Sequence, residues 1–495
     1  MAKNEVRLKY SGIILFLSRL LSVGTGLFFS LMVTRSTTEQ EFGIYGNLGD
    51  TLSYFTLPAL IIPFWTTRFT ARNHAGAPKT GLTANLLLST IFAAIYMLLL
   101  PTITSAFQIG EAYIILYIIM VIQILESYNL YAFESILHAK QPQKIGYGFL
   151  VFEVFKVIIG YILITQFNLS LLGAIISVII AHTLRLTYYL KLTAHEIQGK
   201  FRWSYLKEWV KASPINLYSI AGQKLAAFAL ILLFIYAGEV ARAYYGAALT
   251  VGAIISYSSI LAFALYPKLL SKTDPQDITT SLKMVLMFAI PMTVGAVILS
   301  DSYLTILKVT YRLARPVLII SAMSVLCTSI SSVFGTVVSG TEKIDEKAKI
   351  PFRKLIKTRL FLTYTLPYIK AAIILPLTYY ILTSITETAL EAATLLAVII
   401  FVTDVPMLFA TYAIARKCID FNMPWKSIAK YVATSAVMAA VLLVIPHPTR
   451  ILYTLAVTLM GGAIYILILL LTDREVRSLS KSIIQETLRI MNPSK

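Results

Sequence analysis

The chain has 495 residues, of which 57% are hydrophobic and 14% are charged, with a mean hydropathy of +0.76. Soluble domains are about 45–50% apolar and about 25% charged, so the composition excludes a soluble protein and predicts a polytopic membrane protein. The formal net charge is +19. The two cysteines, Cys327 and Cys418, are too few for a disulfide framework or a metal cluster.

Fourteen apolar segments follow one another along the chain. A membrane-spanning helix needs about 20 mainly apolar residues, and each segment reaches that length. In chain order these predicted helices, numbered 1 to 14, are 10–33, 45–67, 81–104, 112–137, 146–166, 169–190, 214–237, 243–267, 281–300, 314–339, 359–383, 389–414, 427–446 and 451–472. An even number of helices places both termini on the same side.

Lysine and arginine are distributed unevenly between the two sides. With the N-terminus inside, the inner segments hold 32 of the 43 basic residues, five lie within helices and six lie outside. The outer six are Arg35, Arg242, Lys308, Arg312, Arg315 and Arg450. Because cytoplasmic loops are enriched in basic residues, both termini are predicted to be cytoplasmic in a cell-membrane protein. The bias also accounts for most of the net charge, which is expected to face membrane lipids and not nucleic acid.

The two halves of the chain resemble each other at an offset of 200 residues. EFGIYGN (41–47) precedes helix 2 and VARAYYGA (240–247) precedes helix 8, so Tyr45-Gly46 matches Tyr245-Gly246. Farther on, Arg68 and Arg72 match Lys268 and Lys272. Because a repeat unit has six helices, the halves are predicted to be parallel lobes that rock around a site near the midplane. The predicted organisation is a lobe at 1–190, a cytoplasmic linker at 191–213, a lobe at 214–414, helices 13 and 14 at 415–472 and a tail at 473–495.

Four basic residues lie near the centres of predicted helices. Arg19 is in helix 1, Lys156 in helix 5, Lys224 in helix 7 and Lys370 in helix 11, and the repeat matches helix 1 with 7 and helix 5 with 11. Ionisable residues within spans face a bundle interior or a wet cavity and mark transport pathways. Arg19 and Lys224 have no acidic residue three or four positions away, so their partner is expected on another helix, in water or in a ligand.

Acidic residues within the spans have structural and functional interpretations. Glu153 is three residues from Lys156, a spacing at which the two side chains pair on one helix face. Asp50 lies near the outer end of its helix, where it can meet water. Asp404 precedes Pro406, which removes a backbone hydrogen bond, so Asp404 is either an ion or proton site or part of a helix kink.

Two further charged residues lie near the inner ends of helices. Glu134 and Arg185 are expected to extend to the membrane interface, as long charged side chains do near helix ends. Gly24 and Gly26, which follow Arg19, leave room for the close approach of a helix or a ligand.

Central cations without counter-ions suit an anionic substrate, and arginine is the favoured partner of phosphate because its planar guanidinium binds two oxygens. The sequence has no GxxxxGK[ST], HExxH or paired CxxC motif, so it predicts a transporter and not an enzyme. No cofactor is expected beyond coupling to H+ or Na+. The candidate substrate-binding residues are Arg19, Lys224, Lys156, Lys370, Glu153, Asp50 and Glu126, and the candidate ion-coupling residue is Asp404.

Three features carry a resemblance to a known family. They are Ser18-Arg19 in helix 1 followed by EFGIYGN, the matching VARAYYGAA, and the ending MPWKSIAKYVATSAVMAAVLL (423–443) with GGAIYILILLLTDREVRSL (461–479). With fourteen predicted helices, they resemble the polysaccharide-export, lipid-linked oligosaccharide flippase branch of the multidrug/oligosaccharidyl-lipid/polysaccharide (MOP) exporter superfamily. The resemblance covers essentially the whole chain.

The resemblance implies an all-α fold of two six-helix lobes that open alternately to each side, plus a C-terminal helix pair that forms a groove for a lipid tail. A cationic cavity would hold the phosphate or pyrophosphate and sugars of a polyprenol-linked glycan. Arg19 matches the cavity-lining arginine of helix 1, and Lys224 approximates a charged position on helix 7. Some relatives have a sodium site on helices 7, 11 and 12. In this chain, helix 7 carries Lys224 and helix 11 carries Lys370, so only Asp404 on helix 12 fits that sodium site. The protein is expected to act as a monomer that works with glycosyltransferases.

Two other functions fit part of the pattern. A multidrug efflux antiporter of the same fold needs only twelve helices and an acid-rich cavity, whereas this chain has central cations and an extra helix pair. A membrane glycan polymerase or glycosyltransferase needs a catalytic residue in a sizeable outer loop, and the outer loops are short. The outer group Lys308, Tyr311, Arg312 and Arg315 either contacts a sugar phosphate or caps helix 10. The expected function is flipping of a polyprenyl (pyro)phosphate-linked oligosaccharide.

Overall fold

The computed structural model describes residues 22, 24–262, 265–266, 269, 274–341, 358–473 and 476–477, and nearly all of them are helical. This confirms the all-α membrane fold. Arg19, Lys268, Lys272 and the tail beyond 477 lie outside the described residues.

The helices are labelled in chain order. The earlier ones are α1 (24–36), α2 (Glu39–Phe55), α3 (Ile61–Ala71), α4 (Ala77–Ala106), α5 (Glu111–Lys140), α6 (Gln143–Gly160), α7 (Ser170–Thr193), α8 (Trp203–Ala212), α9 (Pro214–Ala227) and α10 (Ala229–Ser256). The later ones are α11 (Pro275–Ile298), α12 (Ser300–Leu307), α13 (Arg315–Thr341), α14 (Arg359–Ser384), α15 (Ala389–Cys418), α16 (Trp425–Val444) and α17 (Ile451–Thr472).

Eleven segments of the described residues are long and apolar enough to cross a membrane. One of them, Leu217–Ala262, has 46 residues and covers most of predicted helices 7 and 8. Gly238 interrupts it with a φ of 81°, a backbone conformation that glycine adopts without steric cost. The count of fourteen membrane helices stays a prediction.

Predicted helix 2 is not continuous, which corrects the expectation of one span at 45–67. The α2 helix ends at Phe55, and a 3-10 turn at Leu57–Leu60 separates it from α3. Pro58 lies in the first turn of that 3-10 segment. A proline has no backbone N–H to donate and its ring clashes with the preceding turn, so the helix divides here.

The described residues form two compact units. One contains the described residues of 22–246 together with Tyr364–Ile399, and the other contains those of 247–341, 358–363 and 400–477. The lobe boundaries at 190, 214 and 414 remain as predicted from the repeat.

The core of the first unit is rich in tyrosine. Tyr96, Tyr117 and Tyr128 are almost completely buried among aliphatic side chains of α2, α4, α5 and α7. The Tyr96 hydroxyl donates to the carbonyl of Tyr117 at 2.6 Å, and the Tyr128 hydroxyl donates to the carbonyl of Phe55 at 2.9 Å. A buried hydroxyl is costly without a partner, so these bonds to main-chain carbonyls allow large polar rings in a membrane-embedded core.

The second unit is centred on α11, which packs against α13 and α16. The C-terminal helices α16 and α17 pack against each other and contribute Met438, Leu442 and Tyr465 to one apolar cluster with α11. The Tyr465 hydroxyl donates to the carbonyl of Met287 on α11 at 2.8 Å. The predicted helix pair 13 and 14 is therefore joined to helix 9 by a buried interface.

The α2 helix approaches α10 most closely at Gly43. A Cβ atom at Gly43 would lie 1.9 Å from the carbonyl oxygen of Glu239, whereas a Cβ at Gly49 of the same helix would meet nothing within 4 Å among the described residues. We expect Gly43→Ala to lower the thermal midpoint of unfolding in detergent, at a cost of about 1–3 kcal/mol for overpacking. Gly49→Ala is the matched control and should gain up to about 1 kcal/mol from helix propensity. Equal midpoints for both variants would contradict this packing.

Candidate functional site

The candidate site is a polar cluster in the first unit, on one face of α2. Asp50 on this face pairs with Arg242 of α10, whose Nε donates to Asp50 Oδ2 at 2.7 Å. The Arg242 side chain is only 7% exposed and that of Asp50 is 19% exposed. Arg242 was counted with the outer loops, and Asp50 was expected to meet water. Arg242 lies inside α10 and not in a loop, and each residue supplies a counter-ion for the other. The contact of Asp50 with outer water stays a prediction.

The repeated Tyr-Gly motif shapes the space that Arg242 occupies. A Cβ at Gly46 would lie 2.8 Å from Arg242 Cζ, and a Cβ at Gly246 would lie 3.0 Å from its Nη1. Both glycines of the repeat therefore leave room for one guanidinium. Asp50 comes four residues after Gly46, and Arg242 comes four residues before Gly246. This spacing relative to the repeated glycine is the sequence signal that could have revealed the Asp50–Arg242 ion pair.

Lys224 of α9 belongs to the same cluster. The Tyr54 hydroxyl on α2 donates to the backbone carbonyl of Lys224 at 3.0 Å, and the Lys224 ammonium interacts electrostatically with the Asp50 carboxylate. The partner of Lys224, expected on another helix, in water or in a ligand, stays a prediction. Two cations, Lys224 and Arg242, share one carboxylate, so these three groups together carry an excess positive charge.

Asn47 lies one turn before Asp50 and is completely buried. Its Oδ1 accepts a hydrogen bond from the hydroxyl of Tyr117, while its Nδ2 has no acceptor among the described residues. Buried polar groups are almost always hydrogen-bonded. The cluster therefore combines a buried ion pair and a nearby lysine with a buried amide donor, an arrangement that suits a highly oxygenated ligand.

A second buried ion pair lies on α6. Lys156 Nζ donates to Glu153 Oε2 at 2.7 Å, and the hydroxyl of Thr25 on α1 also donates to this carboxylate. The ammonium lies 4.8 Å from the ring centroid of Phe152 and 5.5 Å from that of Phe29. This confirms the pairing predicted from the i, i+3 spacing. The charge of Lys156 is thus neutralised within the protein, as that of Arg242 is by Asp50.

Gly24 and Gly26, the two glycines after Arg19, are not packed against another helix among the described residues. A Cβ at Gly24 or Gly26 would meet nothing within 4 Å among the described residues. The close approach of a helix or a ligand at these glycines stays a prediction.

The acidic residues of α5 have partners on α7. The Thr183 hydroxyl donates to Glu126 Oε1 at 2.7 Å, and Glu126 Oε2 has no donor among the described residues. Glu134 pairs with Arg185, whose Nε also lies 3.0 Å from the Tyr189 hydroxyl. Glu134 and Arg185 were expected to reach the interface separately, and this is wrong because they neutralise each other inside the helix bundle.

Lys370 lies on α14, which packs directly on α9. Tyr368 stacks on Tyr218 with a centroid distance of 4.4 Å, and its hydroxyl donates to the Tyr218 carbonyl at 2.7 Å. A Cβ at Gly222 would lie 2.5 Å from the Tyr368 ring. The helices that carry Lys224 and Lys370 are therefore neighbours in the first unit, a contact that the sequence pattern did not reveal.

Asp404 is buried in the second unit. The hydroxyl of Ser324 on α13 donates to its Oδ2. Two turns further along, Ser331 and Thr411 join the same two helices by a 2.9 Å hydrogen bond. The α15 helix runs through Pro406 without ending. Within the described ranges, no three His, Cys, Asp or Glu side chains are placed to hold a metal ion.

Comparison with known proteins shows similarity in structure and not in sequence. No protein-family profile and no curated protein sequence matches the chain. The lipid II flippase MurJ in an inward closed conformation is similar over 94% of this chain and 99% of its own, with a TM-score of 0.65 and 14% identity.

Transporters of another class share the fold over a shorter length. A multidrug resistance MATE family transporter of the MOP superfamily in its inward-facing conformation is similar over 82% of this chain and 98% of its own, with a TM-score of 0.59 and 13% identity. The outward-facing conformation of such a transporter has a TM-score of 0.54 at 14% identity. The chain thus has the fold of MOP-superfamily transporters, as the sequence resemblance predicted.

Proposed function

We propose that this protein is a flippase that moves a polyprenyl (pyro)phosphate-linked oligosaccharide across the cell membrane by alternating access. The observation that carries the proposal is the extent of the structural similarity. The similarity to the lipid II flippase extends over nearly the full length of both chains, whereas the MATE transporter covers 82% of this one. The difference is close in size to the predicted helices 13 and 14, which are joined to α11 in the second unit.

The cluster around Asp50 is the proposed contact for the phosphate of the substrate. Lys224 supplies the cation that meets the phosphate, and Asp50 with Arg242 holds α2 and α10 in place beside it. A charge-assisted contact to phosphate is about twice as strong as a neutral hydrogen bond. Arg19, outside the described residues, and Lys370 on the neighbour of α9 are proposed as further phosphate ligands.

The remaining candidates have a different proposed role. Glu153 and Lys156 neutralise each other. They are therefore proposed to form hydrogen bonds with the uncharged sugars and to hold α6 in position. Glu126 is proposed to accept hydrogen bonds from sugar hydroxyls, because one of its carboxylate oxygens has no donor among the described residues. The protein is proposed to act as a monomer with cytoplasmic termini, supplied with substrate by glycosyltransferases.

Transport in reconstituted vesicles tests this function. Vesicles that contain the protein receive a fluorescent polyprenyl pyrophosphate-linked oligosaccharide in the inner leaflet, and a membrane-impermeant quencher reports its arrival outside. We expect flipping that protein-free vesicles do not show. In a parallel assay, a cationic dye tests the multidrug efflux alternative. Dye transport without flipping of the lipid-linked sugar would replace the proposed function by that alternative.

Asp404 is proposed to couple transport to an ion gradient, because it is a buried carboxylate held by a hydroxyl in the second unit. We expect Asp404→Asn to abolish the acceleration of flipping by an imposed H+ or Na+ gradient, since the amide cannot exchange charge. Initial rates with and without each gradient measure this. Ser331→Ala, which removes a hydrogen bond between the same two helices, is the control and should keep the acceleration. A gradient response in Asp404→Asn equal to that of the wild type would refute the coupling role.

A further inference from the structure

Basic residues are rare on the predicted outer side, and most of them lie in one place. Six were counted there, but Arg242 is buried against Asp50 in the first unit. Four of the other five belong to the second unit, on two segments that contact each other. We call Asp301, Lys308, Arg312, Arg315, His447 and Arg450 the outer cluster. Outer segments of membrane proteins are depleted in lysine and arginine. This concentration of basic residues on the predicted outer side therefore indicates a function.

Asp301 on α12 joins the two segments of the outer cluster. His447, in the turn between α16 and α17, has its Nδ1 2.8 Å from Asp301 Oδ1. Arg312, in the 3-10 segment Val309–Ala314, has its Nη2 3.9 Å from Asp301 Oδ2. The turn of the C-terminal helix pair is thereby held beside the basic segment 308–315.

Arg312 is only loosely engaged by this carboxylate. A separation of 3.9 Å exceeds hydrogen-bonding distance, and the Arg312 side chain is 66% exposed. Arg315 and Arg450 are also exposed. The Asp301 carboxylate set against the permanent cations Arg312, Arg315 and Arg450 leaves a net charge of +2. The cluster is therefore preorganised by Asp301 and still strongly cationic.

Exposed apolar side chains alternate with these cations. Val309 is 72% exposed and Leu313 is 58% exposed, on either side of Arg312. Val444 and Leu452 flank the turn that carries His447 and Arg450, and they are 85% and 80% exposed. A free anion would need only the cations, whereas a lipid phosphate needs cations beside an apolar surface for its chain.

We propose that the outer cluster binds the phosphate or pyrophosphate group of the carrier lipid on the outer side, with the first part of the lipid chain against Val309 and Leu313. This inference rests on the proposed flippase function and adds a second phosphate site to it. A pyrophosphate carries more negative charge than the single phosphodiester of an ordinary phospholipid, so a net charge of +2 favours the carrier. Arg312 and Arg315 supply guanidinium groups that bind phosphate oxygens in pairs.

Binding to the full-length protein in nanodiscs of neutral phosphatidylcholine tests this site. The probe is a fluorescent polyprenyl pyrophosphate, and the Lys224→Ala variant serves as background to remove the proposed central contact. In that background we expect Arg312→Ala with Arg315→Ala to weaken binding about tenfold or more. Arg72→Ala, which removes an exposed arginine of the predicted inner side, is the matched control and should bind like the background.

Two further probes identify the ligand. Val309→Ser with Leu313→Ser should weaken binding of the polyprenyl pyrophosphate and leave that of inorganic pyrophosphate unchanged. Phosphatidylglycerol should compete poorly with the carrier. Equal competition by phosphatidylglycerol would make the cluster a site for ordinary anionic lipid and would overturn the proposal, as would unchanged binding in the double arginine variant.

Failure of this site is distinguishable from failure of the flippase function. If Lys224→Ala alone abolishes all probe binding, the outer site is refuted while the central site stands. If the protein binds the carrier at the outer cluster but flips no lipid-linked sugar in vesicles, the proposed function fails on its own.

Discussion

Lys224→Ala should reduce the initial rate of flipping of the lipid-linked oligosaccharide by about 10- to 100-fold, which corresponds to the loss of one charge-assisted contact worth about 1.5–3 kcal/mol. The physical reason is the charge of the cluster: without Lys224, Asp50 and Arg242 neutralise each other and no excess cation remains among the three groups. Lys224→Arg should retain part of the rate, because it keeps the charge but replaces a compact ammonium with a planar guanidinium.

The control for this prediction is a lysine that lies outside the site. Lys211 is exposed on α8, and Lys211→Ala should flip substrate at the wild-type rate. Protein amount and thermal midpoint are measured for each variant, so that loss of transport is separated from loss of folding. Wild-type transport by Lys224→Ala would remove Lys224 from the site. Arg19→Ala is expected to abolish export in the same assay, with only partial recovery in Arg19→Lys.

Arg242→Ala and Asp50→Ala should each destabilise the protein by about 3–5 kcal/mol, because either change leaves an uncompensated charge in a buried position. The double variant should be less destabilised than the sum of the single ones, since it removes both charges together. Thermal or denaturant-induced unfolding in detergent measures the four members of this cycle.

An exposed ion pair provides the comparison. Asp420 pairs with Arg416 at 2.6 Å but its side chain is 86% exposed, so Asp420→Ala should change stability by less than about 1 kcal/mol. Additive effects of the Asp50 and Arg242 variants would show that the two side chains do not interact energetically and would contradict the description of the cluster.

Local pairs were predictable from the sequence and distant ones were not. Glu153 and Lys156 are three residues apart on one helix, and helix geometry alone brings such side chains together. Asp50 and Arg242 are separated by 192 residues, and neither residue has a distinguishing neighbour except the repeated glycine. For Arg185 and Glu134 the sequence predicts extension to the membrane interface, because it does not show that their two helices lie side by side and allow the ion pair.

Packing against neighbouring helices also decides in part whether a single helix continues or ends at a proline. The apolar run at 45–67 has the length of one span, but Pro58 divides it into α2 and α3. In contrast, Pro406 does not end α15, because neighbouring helices in a membrane protein can satisfy the freed backbone groups. The sequence contains a proline in both places, and only the packing around each one distinguishes a break from a continuous helix.

The sequence alone established that this is an all-α membrane protein and which segments are apolar enough to span, and it predicts which side holds most of the basic residues. These properties follow from the transfer of each side chain and each backbone group between water and hydrocarbon, which depends on composition and local order. The tertiary structure decided which buried charges are neutralised within the protein and which carry an excess. A charge inside a membrane protein is stabilised by whatever counter-ion packs against it, and for Arg242 that counter-ion, Asp50, comes from a helix far away in the chain.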